Sequence, residues 1–65
     1  MKVRHLLQEL SYQGWTIARI TGSHRLLRHE VIKGTVTVSG HLNQDLPIGT
    51  LRSIQRQARG FSLAR

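Results

Sequence analysis

Apolar residues recur at Val3, Leu6, Leu7 and Leu10, an i, i+3, i+4, i+7 spacing that lines one stripe of a helix, with Arg4, Gln8 and Glu9 off it. The spacing predicts a helix over residues 2–13, stopped at Gly14, where a left-handed residue satisfies the last carbonyls. The pattern then changes character. Trp15-Thr16-Ile17-Ala18-Arg19-Ile20 is rich in β-branched and aromatic types and predicts a first strand, with Trp15 as a core anchor. Thr21-Gly22-Ser23-His24 reverses the chain, since glycine followed by serine fits the central positions of a type II′ hairpin turn. A second strand is expected from His24 to about Glu30. Its alternation is poor: Leu26 and Leu27 face opposite sides of any regular strand, so this segment alone does not say which face is core.

After a link ending at Gly34, Thr35-Val36-Thr37-Val38-Ser39 alternates cleanly, with valines on one side and hydroxyls on the other. Residues 40–46 read as a polar loop. Pro47 suits a first helical turn, and Ile48, Leu51, Ile54 and Ala58 form the apolar stripe of a second helix ending at Gly60. The order is helix, three strands, helix. Short connections make the strands an antiparallel meander, and both helix stripes need the same sheet face, so an α+β two-layer fold is expected. The boundaries are a single domain over 1–60 and a short, disordered tail over 61–65.

Composition narrows the function classes. A chain of 65 residues holds one small domain, and 38% hydrophobic residues give it one marginal core. No cysteine is present, which excludes a disulfide framework, a thiol nucleophile and Cys-ligated zinc. No apolar run reaches signal-peptide or membrane-span length, so the expectation is a soluble, cytoplasmic protein with no membrane contact. Ten Lys and Arg against three Asp and Glu give a net charge of +7, which calls for an anionic partner. Self-repulsion weakens so small a fold, and a partner that neutralises the charge stabilises it by mass action.

Arg52, Arg56 and Arg59 fall at i, i+4, i+7 and share one helix face. That face is either simply solvated or a track for nucleic-acid phosphates, which arginine binds with planar, paired hydrogen bonds. His24 is placed where a tight turn meets a strand, with Arg25 and Arg28 after it and Arg19 across the hairpin. An imidazole takes or gives a proton near neutral pH, and cations stabilise the charge that builds on a phosphate under attack. This is what a metal-free ribonuclease requires; the alternative is a surface histidine without a role. Metal ligation is not expected, because no helix carries a His pair at i, i+4 and Glu9, Glu30 and Asp45 are scattered. Ser23 is adjacent to His24 and poorly placed to be its nucleophile. Gly22 stands alone, so there is no glycine-rich phosphate loop, and Tyr12 and Phe61 are too few for a base-stacking sheet.

Gly14-Trp15, Gly22-Ser23-His24, His29, the valine strand, His41 and the run Asp45-Leu46-Pro47-Ile48-Gly49-Thr50-Leu51-Arg52-Ser53-Ile54 together resemble the HicA (YcfA-like) toxin family, in the same order over about residues 2–60. The resemblance implies a double-stranded-RNA-binding-like α-β-β-β-α fold. It also implies an mRNA interferase, the toxin of a type II toxin–antitoxin pair, blocked by a HicB antitoxin. The family's catalytic histidine lies in the Gly-Ser-His motif, which matches His24. Glu30 and Ser39 stand where family members often carry proline. The resulting expectation is a metal-independent, cofactor-free endoribonuclease with His24 as general base and Arg19, Arg25, Arg28, Lys33, Arg52, Arg56 and Arg59 on RNA phosphates. His29 or an arginine is the candidate for protonating the leaving oxygen. The toxin is expected to be monomeric alone and hetero-oligomeric with its antitoxin. Two rivals are an RNA-binding module that does not cut and a domain whose basic face serves only an acidic protein partner.

Overall fold

Three strands hydrogen-bond in chain order in the computed structural model, which describes residues 1–58. Helix α1 (Val3–Tyr12) leads into β1 (Thr16–Thr21), β2 (His24–Arg28) and β3 (Thr35–Ser39), and helix α2 (Ile48–Gln57) follows. Both neighbouring pairs are antiparallel, so the α-β-β-β-α order and the two-layer α+β architecture are those the sequence predicts. Gly60 as a helix end, Arg59 and the 61–65 tail lie outside the described residues. Among the described residues, no helix is long and apolar enough to cross a membrane.

Register settles which leucine is inward. Leu27 pairs with Val36, and all three of Leu27, Val36 and Val38 are at most 1% exposed. They meet Val3, Leu6 and Leu10 from α1, Ile54 from α2, Ala58 just after it, and Trp15 in one cluster. Leu26 therefore faces the other, open side of the sheet. On β1, the register shifts between Ile17 and Arg19. This bulge makes Ala18 the extra residue and brings Ile17 and Ile20, three positions apart, to the same helix-facing side. Neither is covered there: all six β1 residues are exposed, with Ile20 at 61%. Both helices lie toward β3 instead.

Two expectations are corrected in the second half of the chain. Ile48 does not join the core; it is 67% exposed at the start of α2, while Leu46, just before Pro47, is buried. The helical stripe begins at half-buried Leu51 because the first turn of α2 overhangs the core. The 40–46 segment is more than a polar loop. The side chain of Lys2 makes no capping bond to α1, and the loop supplies the missing acceptors: Val3 N–H donates to Gln44 O (3.0 Å) and Arg4 N–H to Leu42 O (3.1 Å). Leu46 N–H donates to Met1 O, Arg4 donates to Asn43 Oδ1, and Lys2 faces Asp45 at 3.7 Å.

Trp15 is 1% exposed and its Nε1 is buried without an acceptor among the described residues. An orphaned N–H costs about 1–3 kcal/mol. Burying about 200 Å² of indole returns about 5 kcal/mol at about 25 cal/mol per Å², so the anchor is favourable despite the lost bond.

Candidate functional site

His24 opens β2 directly after a two-residue turn. Thr21 and His24 pair across the hairpin, Gly22 has φ of 58°, and no residue other than glycine has positive φ among the described residues. One positive φ at the first central position is the type II′ arrangement, which matches the twist of the flanking strands. The turn holds the imidazole at the sheet end, exposed and without a hydrogen-bond partner among the described residues.

Strand pairing surrounds this ring with hydroxyls. Thr21 on β1 and Ser39 on β3 are the partners of His24, and directly opposite residues project to one face. Both are exposed. The resulting row Thr21–His24–Ser39 escaped the sequence reading, although the two-residue turn and the alternation of β3 carry the signal for it.

The arginines divide between the faces. Arg19 pairs with Leu26, two residues from His24 on the open face, which makes it a diagonal neighbour at about 7–8 Å, within reach of a long side chain. Arg28 shares the open face but sits at the far end of β2, about 13 Å from His24. Arg25 pairs with Val38 and so points to the helix side. Its Nη1 donates to Gly40 O (2.9 Å) and Ser23 O (3.3 Å), tying the hairpin to the end of β3. The register thus puts Arg19 on the same face as His24, one diagonal away, turns Arg25 to the helix side and leaves Arg28 at the far end of the strand. Arg52 and Arg56 are exposed on α2, and Lys33 lies in the β2–β3 link, where it and Arg56 line a common cleft. Arg59 lies outside the described residues.

His29 is the counter-case. Its Nδ1 accepts N–H bonds from Val31 (3.0 Å) and Ile32 (3.2 Å), which requires that nitrogen to be unprotonated. The proton therefore sits on Nε2, which donates to Gln13 O at 2.8 Å. The ring packs edge-on to Trp15, with centroids 5.2 Å apart. Both nitrogens are committed to backbone, so His29 offers no proton to a leaving group. It also explains Gly14: with φ of 98°, a Cβ there would stand 2.6 Å from His29 Nε2. The same contacts end β2 at Arg28 rather than Glu30. Among the described residues no three His, Asp or Glu side chains gather as a metal cage.

An exposed histidine on a glycine-made turn, a tryptophan–histidine clip around Gly14, and the helix after Pro47 are thus assembled in one small sheet fold. No curated protein matches the chain. A family model described as the HicA toxin of bacterial toxin–antitoxin systems matches residues 3–59, nearly the whole of it. The chain belongs to the HicA toxin family of bacterial toxin–antitoxin systems.

Proposed function

We propose that this toxin is an endoribonuclease that cleaves mRNA by attack of the ribose 2′-hydroxyl on the adjacent phosphate, with His24 as general base. The observation that carries the reading is the state of His24: exposed, bonded to nothing among the described residues, and flanked by open hydroxyls. A ring nitrogen of His24 takes the 2′-hydroxyl proton, the 2′-oxygen bonds to phosphorus, and the bond from phosphorus to the 5′-oxygen breaks. The products are a 2′,3′-cyclic phosphate and a 5′-hydroxyl. Arg19, the cation diagonal to His24, faces the charge that builds on the phosphate oxygens, and Thr21 and Ser39 offer neutral donors beside it.

The leaving 5′-oxygen takes its proton from water in this scheme. His29 is locked by three backbone bonds, and arginine does not give up a proton in proteins. Chemistry without a protein acid is slow, and slow turnover is what this scheme predicts. Arg28 and Arg52 contact the RNA backbone away from the scissile bond, and Arg59 extends that set. Arg25 acts on the site by fixing the hairpin that carries His24. The family implies an antitoxin partner; we take it to be a HicB-type protein that forms a hetero-oligomer with a toxin otherwise monomeric in the cytoplasm. The net charge of +7 supports an acidic surface on that partner.

The test is cleavage of RNA by purified protein in EDTA, with wild type beside His24→Ala and the fold of each checked by circular dichroism. Cutting by wild type alone, with a cyclic-phosphate end on the product, is the expected result. Loss of wild-type cutting in EDTA and its return with magnesium would overturn the metal-free scheme. Undiminished RNA binding with no cutting by either folded protein would favour a binding module.

A further inference from the structure

Two cations meet at the end of the sheet remote from His24. Lys33, Gly34 and Thr35, where the β2–β3 link enters β3, face Arg56 and Gln57 in the last turn of α2 across an open cleft of roughly 430 Å³. The helix end is held against the strand edge by Gln57, whose Oε1 accepts the Thr37 N–H at 3.1 Å while its Nε2 donates to Ser53 Oγ. The cleft is therefore a consequence of packing: residues 33 and 56 are distant in sequence, and no local pattern joins them.

Neither Lys33 nor Arg56 has a hydrogen bond or an ion pair among the described residues, and the ion pair found there is Lys2 with Asp45, at the N-terminus of α1. Bringing like charges to one cleft without an acid between them is unfavourable until an anion occupies it. Thr35 adds a hydroxyl. The cleft is wide and open, which suits a phosphate on a continuous chain rather than an enclosed small molecule.

We infer that the Lys33–Arg56 cleft holds a backbone phosphate of the RNA a few nucleotides from the scissile one, so that substrate lies lengthwise along β2. The inference rests on the proposed cleavage at His24. Ser39 pairs with His24 and Thr35 pairs with Arg28, so the cleft lies about 13 Å from the catalytic end. On the open face Arg19 stands at an intermediate register position, opposite Leu26, and Arg28 stands level with the cleft, opposite Thr35. This gives a cationic path from His24 past Arg19 and Arg28 to the cleft, and makes the length of the RNA a determinant of affinity.

The experiment measures binding of a fully 2′-O-methylated RNA of about 12 nucleotides, a length within the usual footprint of single-strand sites, by fluorescence anisotropy across a salt series. The 2′-O-methyl groups block cleavage, so binding is read alone. Wild type is compared with the double variant Lys33→Gln/Arg56→Gln and with the charge-keeping exchange Lys33→Arg/Arg56→Lys. Both residues are exposed, and amide spectra check each fold. The double variant is expected to bind about tenfold more weakly, with a log–log salt slope shallower by about 0.7 for the phosphate lost. The exchange variant should keep the wild-type slope, and RNA should shift the wild-type amide signals of Gly34 and Thr35. Equal affinity and slope in wild type and double variant would overturn the inference while leaving cleavage at His24 standing. Failure of wild type to bind the RNA at all would overturn both. Unchanged RNA binding together with weakened binding to the antitoxin would assign the cleft to carboxylates of the protein partner and reject the phosphate site.

Discussion

The two ends of β2 treat the same side chain in opposite ways. His24, at the hairpin end, emerges from a two-residue turn into solvent, with hydroxyls of Thr21 and Ser39 beside it and no bond to its ring among the described residues. His29, just past the other end, donates from Nε2 to Gln13 O, accepts at Nδ1 from Val31 and Ile32, and lies against Trp15. What separates an available histidine from a structural one here is whether the backbone has claimed both nitrogens. Charge does not separate them, since each has an arginine close by in sequence. Backbone exit does: a hairpin satisfies its own N–H groups, whereas the chain leaving β2 presents free N–H groups that the His29 ring takes up.

The widest separation is expected between the two alanine variants. His24→Ala should lower RNA cleavage by about 10²–10⁴-fold, the usual worth of a general base, and shift unfolding free energy by less than about 0.5 kcal/mol. His29→Ala should do the reverse, costing about 2 kcal/mol in urea denaturation, because it removes the ring's three hydrogen bonds to backbone and its packing against Trp15. A His29→Ala protein as stable as wild type would break the comparison at its structural end.

Gly14→Ala and Gly22→Ala sharpen it. Both positions have positive φ, but a Cβ at Gly14 meets the His29 ring at 2.6 Å while one at Gly22 meets nothing within 4 Å. Gly22→Ala should cost about 1 kcal/mol from backbone strain alone, and Gly14→Ala about 1–2 kcal/mol more from displacing the ring. Equal melting temperatures for the two would mean that the ring yields freely. The smallest effects separate the arginines flanking His24. Arg25→Gln should destabilise by about 1 kcal/mol through loss of its carbonyl bonds, whereas Arg19→Gln should leave stability within about 0.5 kcal/mol and lower the rate of cleavage in single-turnover assays.

Much of the architecture was legible. Periodicity gave the helices because a 3.6-residue repeat is a local property, and Gly22-Ser23 gave the hairpin because a positive φ is a local requirement. The site was legible only in part. The Gly-Ser-His motif pointed to His24, but reading Arg25 and Arg28 as its companions treated closeness in sequence as closeness in space. A strand places neighbours on opposite faces and sends residues four apart about 13 Å away. Arg19, distant in sequence, shares the open face with His24 as a diagonal cross-strand neighbour through its pairing with Leu26.

By itself, then, the sequence determined the element order, the turn that presents His24, the alternating valines of β3, the cationic character and the family. Tertiary structure decided everything that depends on register and long-range packing. It chose Leu27 over Leu26 for the core, used a bulge at Ala18 to align Ile17 with Ile20, and buried Leu46 in place of Ile48. It also turned Arg25 to the carbonyls of Ser23 and Gly40, locked His29 between Gln13 and the β2–β3 link, and brought Lys33 to Arg56. The physical reason is common to all of these. A local pattern fixes the period of a segment, while the face it presents and the partner it meets are fixed by hydrogen-bond register and by which buried groups remain to be satisfied.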